Sequence, residues 1–328
     1  MSDATLQPPA KAASSALTRA ILWMGMALFS FSAIAIAGRE AGRGLTTNEL
    51  IFWRSVLGIV VLCVIYLAQP KRRAMGRDGI ATAVLPWHIV RGLVHFTAQY
   101  SWLYALILIP LTQLFALEFT SPLWVAILAP LFLGERLTGW RIAAAVLGFI
   151  GALIVVEPGL LTGQLQMTAS IGTAFAAFSA LGFASSMILT KRLTRTEPAL
   201  RILFWMQVLQ AIIAAIILGG IGMTTGAWPV SWTAQVPLAQ WGWVSVIGIA
   251  GLTAHFGLTR AFGLADAIIV APMDFLRLPL IAVVGALVYG ENLSVSVGLG
   301  AGIVVAANAL NMWAERRASV RKTAALPA

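Results

Sequence analysis

The chain has 328 residues, 59% hydrophobic and 10% charged, with a mean hydropathy of +0.89 and a formal charge of +10. A soluble globular domain carries about 25% charged residues, so this composition cannot cover a water-exposed surface, and it is far too apolar for a disordered chain. One cysteine, Cys63, excludes an internal disulfide framework or a multi-thiolate metal centre, and what remains is an all-α integral membrane protein.

A hydrocarbon core of about 30 Å takes about 20 apolar residues per helix. In chain order, a polar tail over residues 1–18 leads into a first span at 19–38. Arg19, an apolar run and Ala35-Ile36-Ala37 resemble a signal peptide with its cleavage site. Cleavage would leave nine spans and break the charge alternation described below, so the segment is read as a retained span. The second span, 47–68, carries Arg54 seven residues in. A basic connection then leads to 87–109, where His88, Arg91, His95, Gln99 and Trp102 recur at steps of 3, 4, 4 and 3. That is one helical face, and a polar stripe is costly against lipid, so it should line a water-filled cavity. The competing reading keeps His88 and Arg91 at the headgroups and leaves only Gln99 deep.

The fourth and fifth spans are 111–133 and 139–156, and the second half of the chain supplies 170–190, 200–221, 241–262, 267–289 and 294–313. Glu118 lies seven residues into its span and Asp274 at the corresponding depth of 267–289. Such acids could hold a substrate ammonium or carry protons, or an arginine could simply neutralise them. Arg277, three residues beyond Asp274 on the same face, favours the last reading for Asp274 and leaves Glu118 as the proton carrier. Arg54, Arg260 and Arg277 are candidates for holding an anion, with Arg260 more readily read as snorkelling to the interface. Pro122, Pro130, Pro272 and Pro279 should kink their helices, for gating or for packing. Tyr100, Trp102, Tyr104, Phe115 and Phe119 could line a cavity for a planar or cationic ligand. Glu135 and Glu291 sit in hairpins just before the helix-capping residues Thr138 and Ser294, and are read as structural turns. The tail 314–328 is basic and expected to lack structure.

With the N-terminus inside, 16 of the 22 Lys and Arg fall on the cytoplasmic side and two, Arg39 and Arg43, on the other. Both termini should therefore be cytoplasmic, in a cell inner membrane. The positive charge reports orientation and not nucleic-acid binding.

At an offset of 156 residues, Glu118-Phe119 falls on Asp274-Phe275, Gln99 on His255, and Gly134-Glu135-Arg136-Leu137 on Gly290-Glu291-Asn292-Leu293. Six of the 20 pairs from 118/274 to 137/293 are identical, about three times the chance level in so apolar a composition. At an offset of 152, Phe52-Trp53 falls on Phe204-Trp205. The chain thus reads as two five-helix repeats, 19–157 and 170–313. Five is odd, so the second enters the membrane from the opposite face, giving ten transmembrane helices as two inverted repeats.

The runs Ala116–Leu137 (ALEFTSPLWVAILAPLFLGERL) and Ala271–Leu293 (APMDFLRLPLIAVVGALVYGENL) resemble the fourth helix, and its second-repeat counterpart, of EamA-type transporters of the drug/metabolite transporter superfamily. The resemblance spans nearly the whole chain. It implies secondary transport of a small metabolite such as an amino acid or cofactor, without selecting among substrates. HExxH, GxSxG and P-loop motifs are absent from the sequence, so no enzyme activity and no bound cofactor or metal are expected. The expected partners are a small-molecule substrate and membrane lipid, with a homodimer left open. A lipid-linked flippase and a non-transporting membrane protein stay as alternatives.

Overall fold

The computed structural model describes residues 10–41, 44–68, 79–109, 117–135, 137–156, 171–229, 238–277, 280, 283 and 295–324. Regular structure among these residues is helical, without strands. Apolar chains in hydrocarbon satisfy their backbone donors and acceptors in this way, within each helix. The helices are α1 (Ala10–Ala41), α2 (Thr47–Ala68), α3 (Leu85–Leu108), α4 (Ser121–Leu133) and α5 (Gly139–Val156). They continue with α6 (Ile171–Leu193), α7 (Ala199–Thr225), α8 (Leu238–Leu264), α9 (Ala267–Val270, extended by a 3₁₀ turn over Ala271–Leu276) and α10 (Val295–Ala324).

Within α1, α2, α6, α7 and α8 there are stretches long and apolar enough to cross a membrane. Shorter apolar stretches occupy α4, α5, α9 and α10. At 24 residues, α3 has the length, but His88, Arg91, His95 and Gln99 dilute its hydropathy. Leu22, Phe29, Val60, Leu131 and Ile216 stand more than half exposed, a surface that suits hydrocarbon and not water.

Local chemistry sets the ends. Thr46 and Glu49 form a reciprocal capping box at the start of α2: the Thr46 amide donates to Glu49 Oε2 at 2.8 Å, and the Glu49 amide to Thr46 Oγ1 at 3.4 Å. Gly134, at φ +69°, ends α4 in the left-handed conformation that closes helices.

One expectation needs correction. The tails are partly helical, since α1 already runs from Ala10 and α10 continues to Ala324. Extending an existing helix through alanine-rich sequence requires no new nucleation. Pro122 stands in the first turn of α4, where its missing N–H costs nothing, just after a turn at 119–120 that separates it from helical residues 117–118. Pro272 likewise opens the 3₁₀ turn after α9, and Pro130 is the proline inside a described helix. Pro279, Phe115, Glu291 and the stretches 110–116 and 284–294 lie outside the described residues.

The principal helix pairs are α1 with α8, α3 with α6, α2 with α7, and α5 with α10, each joining one of the first five helices to one of the last five. Small residues make the approach close. A Cβ at Gly257 of α8 would lie 2.6 Å from the Trp23 carbonyl oxygen of α1, and one at Gly182 of α6 would lie 2.7 Å from Ala98 Cβ of α3. Between helices in lipid there is little hydrophobic drive, so such packing carries the association. The largest apolar cluster joins Met24 and Ala27 of α1, Val125 and Ala129 of α4, Ile188 of α6, Phe262 of α8 and Ile268 of α9.

Candidate functional site

A cavity of about 190 Å³ lies between the two groups of helices, with walls from α1, α2, α3, α6 and α8 and from the segments before α4 and after α9. Arg54, His95, Gln99, Glu118, His255, Asp274 and Arg277 line it together. Seven of the nine residues singled out from sequence therefore meet in one place. Trp102 reaches that group without lining the cavity, donating from Nε1 to Glu118 Oε2 at 2.7 Å. Tyr100 does not join it: its hydroxyl hydrogen-bonds Asn48, and its ring packs on Phe96 at 4.7 Å.

The acids and Arg277 form one cluster. Arg277 Nη2 lies 2.8 Å from Glu118 Oε1 and 3.4 Å from Asp274 Oδ2, and its guanidinium stacks 5.4 Å from the Phe119 ring and 5.7 Å from that of Phe31. The pairing differs from expectation. Proximity in sequence favoured Asp274, yet the fold brings Glu118, just before the turn at 119–120, nearer. Glu118, held by Arg277 and Trp102, is thus the more firmly fixed carboxylate.

The polar face of α3 builds the opposite wall. Arg91 is 4% exposed and donates from Nε to Thr190 Oγ1 at 2.6 Å. One turn on, His95 Nδ1 lies 3.3 Å from Ser186 Oγ, and its ring meets His255 edge to face at a centroid distance of 5.4 Å. A further turn along, Gln99 Oε1 accepts from Arg54 Nη2 at 3.4 Å. Arg54 Nη2 also donates to Gln210 Oε1 at 2.9 Å. Phe183 meets His95 at a tilt and Phe31 meets His255 edge to face, at centroid distances of 5.8 and 5.7 Å. His88 falls outside the cavity, against Trp205, while Arg260 is exposed over the Trp23 ring, as a snorkelling side chain would be.

Sequence reasoning missed Gln210, Ser186 and Thr190. Polar but uncharged side chains are too cheap in a span to stand out. Gln210 did carry a signal, because it is Arg54 displaced by 156, the offset that relates Gln99 to His255.

The Glu135 hairpin is structural, as its sequence context suggests, but across a tertiary contact. Its carboxylate accepts from the Ala267 and Ile268 amides at 2.9 and 3.1 Å, capping α9. Beside it, Arg141 pairs with Asp266 at 3.0 Å, and Arg195 donates to the Leu133 carbonyl at 2.8 Å. These contacts tie the early helices to the late ones at one end of the cavity. Among the described residues, no group of three or more His, Cys, Asp or Glu side chains is placed to hold a metal ion.

The EamA-like transporter family matches residues 18–157. A riboflavin transporter of Rhizobium johnstonii is 31% identical over 304 residues, covering 90% of this chain and 91% of its own. An S-adenosylmethionine uptake transporter of Rickettsia felis is 25% identical over 300 residues, covering 92% and 94%. A crystal structure 18% identical in sequence superposes with a TM-score of 0.75 over 92% of this chain and 98% of its own, which supports the fold. The chain is a multi-pass membrane protein and belongs to the EamA-like transporter family of the drug/metabolite transporter superfamily.

Proposed function

We propose that the protein is a secondary transporter of a small metabolite or cofactor, working by alternating access of two inverted repeats, 19–157 and 170–313, about the central cavity. One observation carries the reading: positions related by the 156-residue offset meet each other at the cavity. Arg54 hydrogen-bonds Gln210, Phe119 and Phe275 approach at a ring distance of 6.0 Å, and Glu118 and Asp274 share Arg277. Equivalent positions of two repeats touch only near the axis that relates them, so the buried charges stand on that axis. The helix pairing has the same symmetry. Exchanging α1–α5 for α6–α10 turns the α1–α8 pair into α6–α3 and returns the α2–α7 and α5–α10 pairs to themselves.

A site on such an axis can be exposed to either face by rocking one half against the other. On this reading the Glu135, Arg141 and Arg195 contacts close one end, and the volume of about 190 Å³ is below the roughly 300 Å³ at which ligand pockets begin. The cavity must widen to take a cofactor. On this reading both termini are cytoplasmic, the membrane is the bacterial inner membrane, and Glu118, Asp274, Arg277, Gln99, His95, His255 and Arg54 serve the substrate. Proton coupling, expected at Glu118 from the sequence, belongs instead to Asp274, the acid less tightly engaged by Arg277.

Uptake into proteoliposomes tests the proposal. Riboflavin and S-adenosylmethionine, named for two relatives, are the first radiolabelled probes, followed by a panel of amino acids and nucleosides. Saturable uptake of at least one, reduced about tenfold or more by Arg277→Gln, is the expected result. Movement of a fluorescent lipid with no solute uptake would favour a flippase, and no movement of either would contradict transport.

A further inference from the structure

The charges in the cavity do not balance. Arg277 neutralises Glu118 and lies against Asp274, but Arg54 and Arg91 meet no carboxylate among the described residues. Their partners are neutral: Gln99 and Gln210 for Arg54, and Thr190 for Arg91. Each also keeps a buried nitrogen without a hydrogen-bond partner, Nε of Arg54 and Nη1 of Arg91. A guanidinium in a membrane interior with donors left over is expensive, and no described residue uses those donors. Both side chains face the cavity, and Arg91 is 4% exposed.

Between the two lies an aromatic layer. His95 is one helical turn from Arg91 and one from Gln99, which Arg54 contacts, so the guanidiniums flank the His95–His255 pair. Phe31 adds to it edge-on against His255, and Phe183 at a tilt against His95. The acids are poorly placed to hold a ligand cation, since Arg277 already occupies them.

We propose that Arg54 and Arg91 are the ligand-recognition groups of the cavity, and that its ligand is a planar organic molecule presenting an anionic or carbonyl acceptor group to them while its ring crosses the His95–His255 layer. The ligand's acceptors complete the hydrogen bonding of guanidiniums that are otherwise underused, and charge-assisted bonds of this kind are the strong ones. A ligand whose polar group is a lone cation meets two unneutralised arginines and is repelled. The inference rests on the proposed reading only in taking this cavity as the ligand site, and its test is equilibrium binding, which does not require transport.

The experiment uses three probes with one pyridine ring and different charge: nicotinate, nicotinamide and 3-(aminomethyl)pyridine. Binding to the detergent-purified full chain is measured by calorimetry up to millimolar concentration. The expected order is nicotinate, then nicotinamide, then the amine, with nicotinate ahead of the amine by about tenfold or more. In the Arg54→Gln, Arg91→Gln double variant that preference collapses. The Arg54→Lys, Arg91→Lys variant keeps the charge and retains part of it. Equal or reversed binding, no detectable binding of nicotinate, or a preference that survives in the glutamine variant overturns the proposal. The wild-type order alone decides it if the variants fail to fold. Binding in the expected order without uptake of any solute would leave this assignment standing and remove the transport reading.

Discussion

Arg277 lies between two carboxylates and two aromatic rings, and the cost of burying each of these charges is met by the others. Removing the cation alone leaves Glu118 and Asp274 side by side with no counter-charge. Arg277→Gln should therefore cost about 3–5 kcal/mol, the range for orphaning a buried ion. Adding Glu118→Gln to it should restore part of the loss, read as a thermal midpoint in detergent. A double variant no more stable than Arg277→Gln alone would show that the cluster is not held by charge. At this scale the sequence was informative wherever a residue was expensive. Glu118, Asp274, Arg54 and the α3 stripe stood out because ionisable and strongly polar groups in a span need a reason. Gln210, Ser186 and Thr190 cost little and did not. Arg277's choice of Glu118 over the sequence-adjacent Asp274 depends on tertiary approach, which spacing along one helix cannot express.

Helix existence was legible because about 20 apolar residues are needed to cross the bilayer, and α2 and α5 begin and end where hydropathy places them. The start of α9 at Ala267 was legible in the same way, whereas the break at 119–120 before α4 was not, since a proline in an apolar run can either kink a helix or begin one. Two predictions belong to this scale. Gly257→Leu should separate α1 from α8, because a Cβ alone already meets the Trp23 backbone at 2.6 Å. Overpacking of this kind costs about 1–3 kcal/mol or more, whereas Gly219→Ala, with open space at its Cβ, should leave the thermal midpoint unchanged. Equal effects would mean that the close crossing is not what holds the pair. The second concerns the latch formed by the Glu135, Arg141 and Arg195 contacts. Glu135→Gln with Arg141→Gln removes the charged cap on α9 and the ion pair to Asp266. With a cysteine replacing Ser186 in the cavity wall, thiol labelling from the latch end should rise about fivefold or more, the effect of losing roughly 1–2 kcal/mol of closure. An unchanged rate would show that other contacts keep that end shut.

At the scale of the whole molecule, orientation and symmetry decide function. A Thr225→Cys protein lacking Cys63 should be labelled by an impermeant reagent on intact cells, since Thr225 is exposed at the end of α7 and the positive-inside bias puts that end outside. Labelling only after permeabilisation would invert the topology. The sequence offers a repeat at 156 residues but says nothing of the crossed pairing of α1 with α8 and α3 with α6. Self-similarity says that two halves share a design, and only the fold says how they interlock. The central claim, that one axial cavity serves both faces in turn, is tested most directly with Ser186→Cys in the Cys63→Ser background, using right-side-out and inside-out vesicles. Alternating access predicts labelling from both faces, with a transported ligand or a latch-weakening variant raising one rate while lowering the other. Labelling from one face alone, unaffected by either, would contradict it.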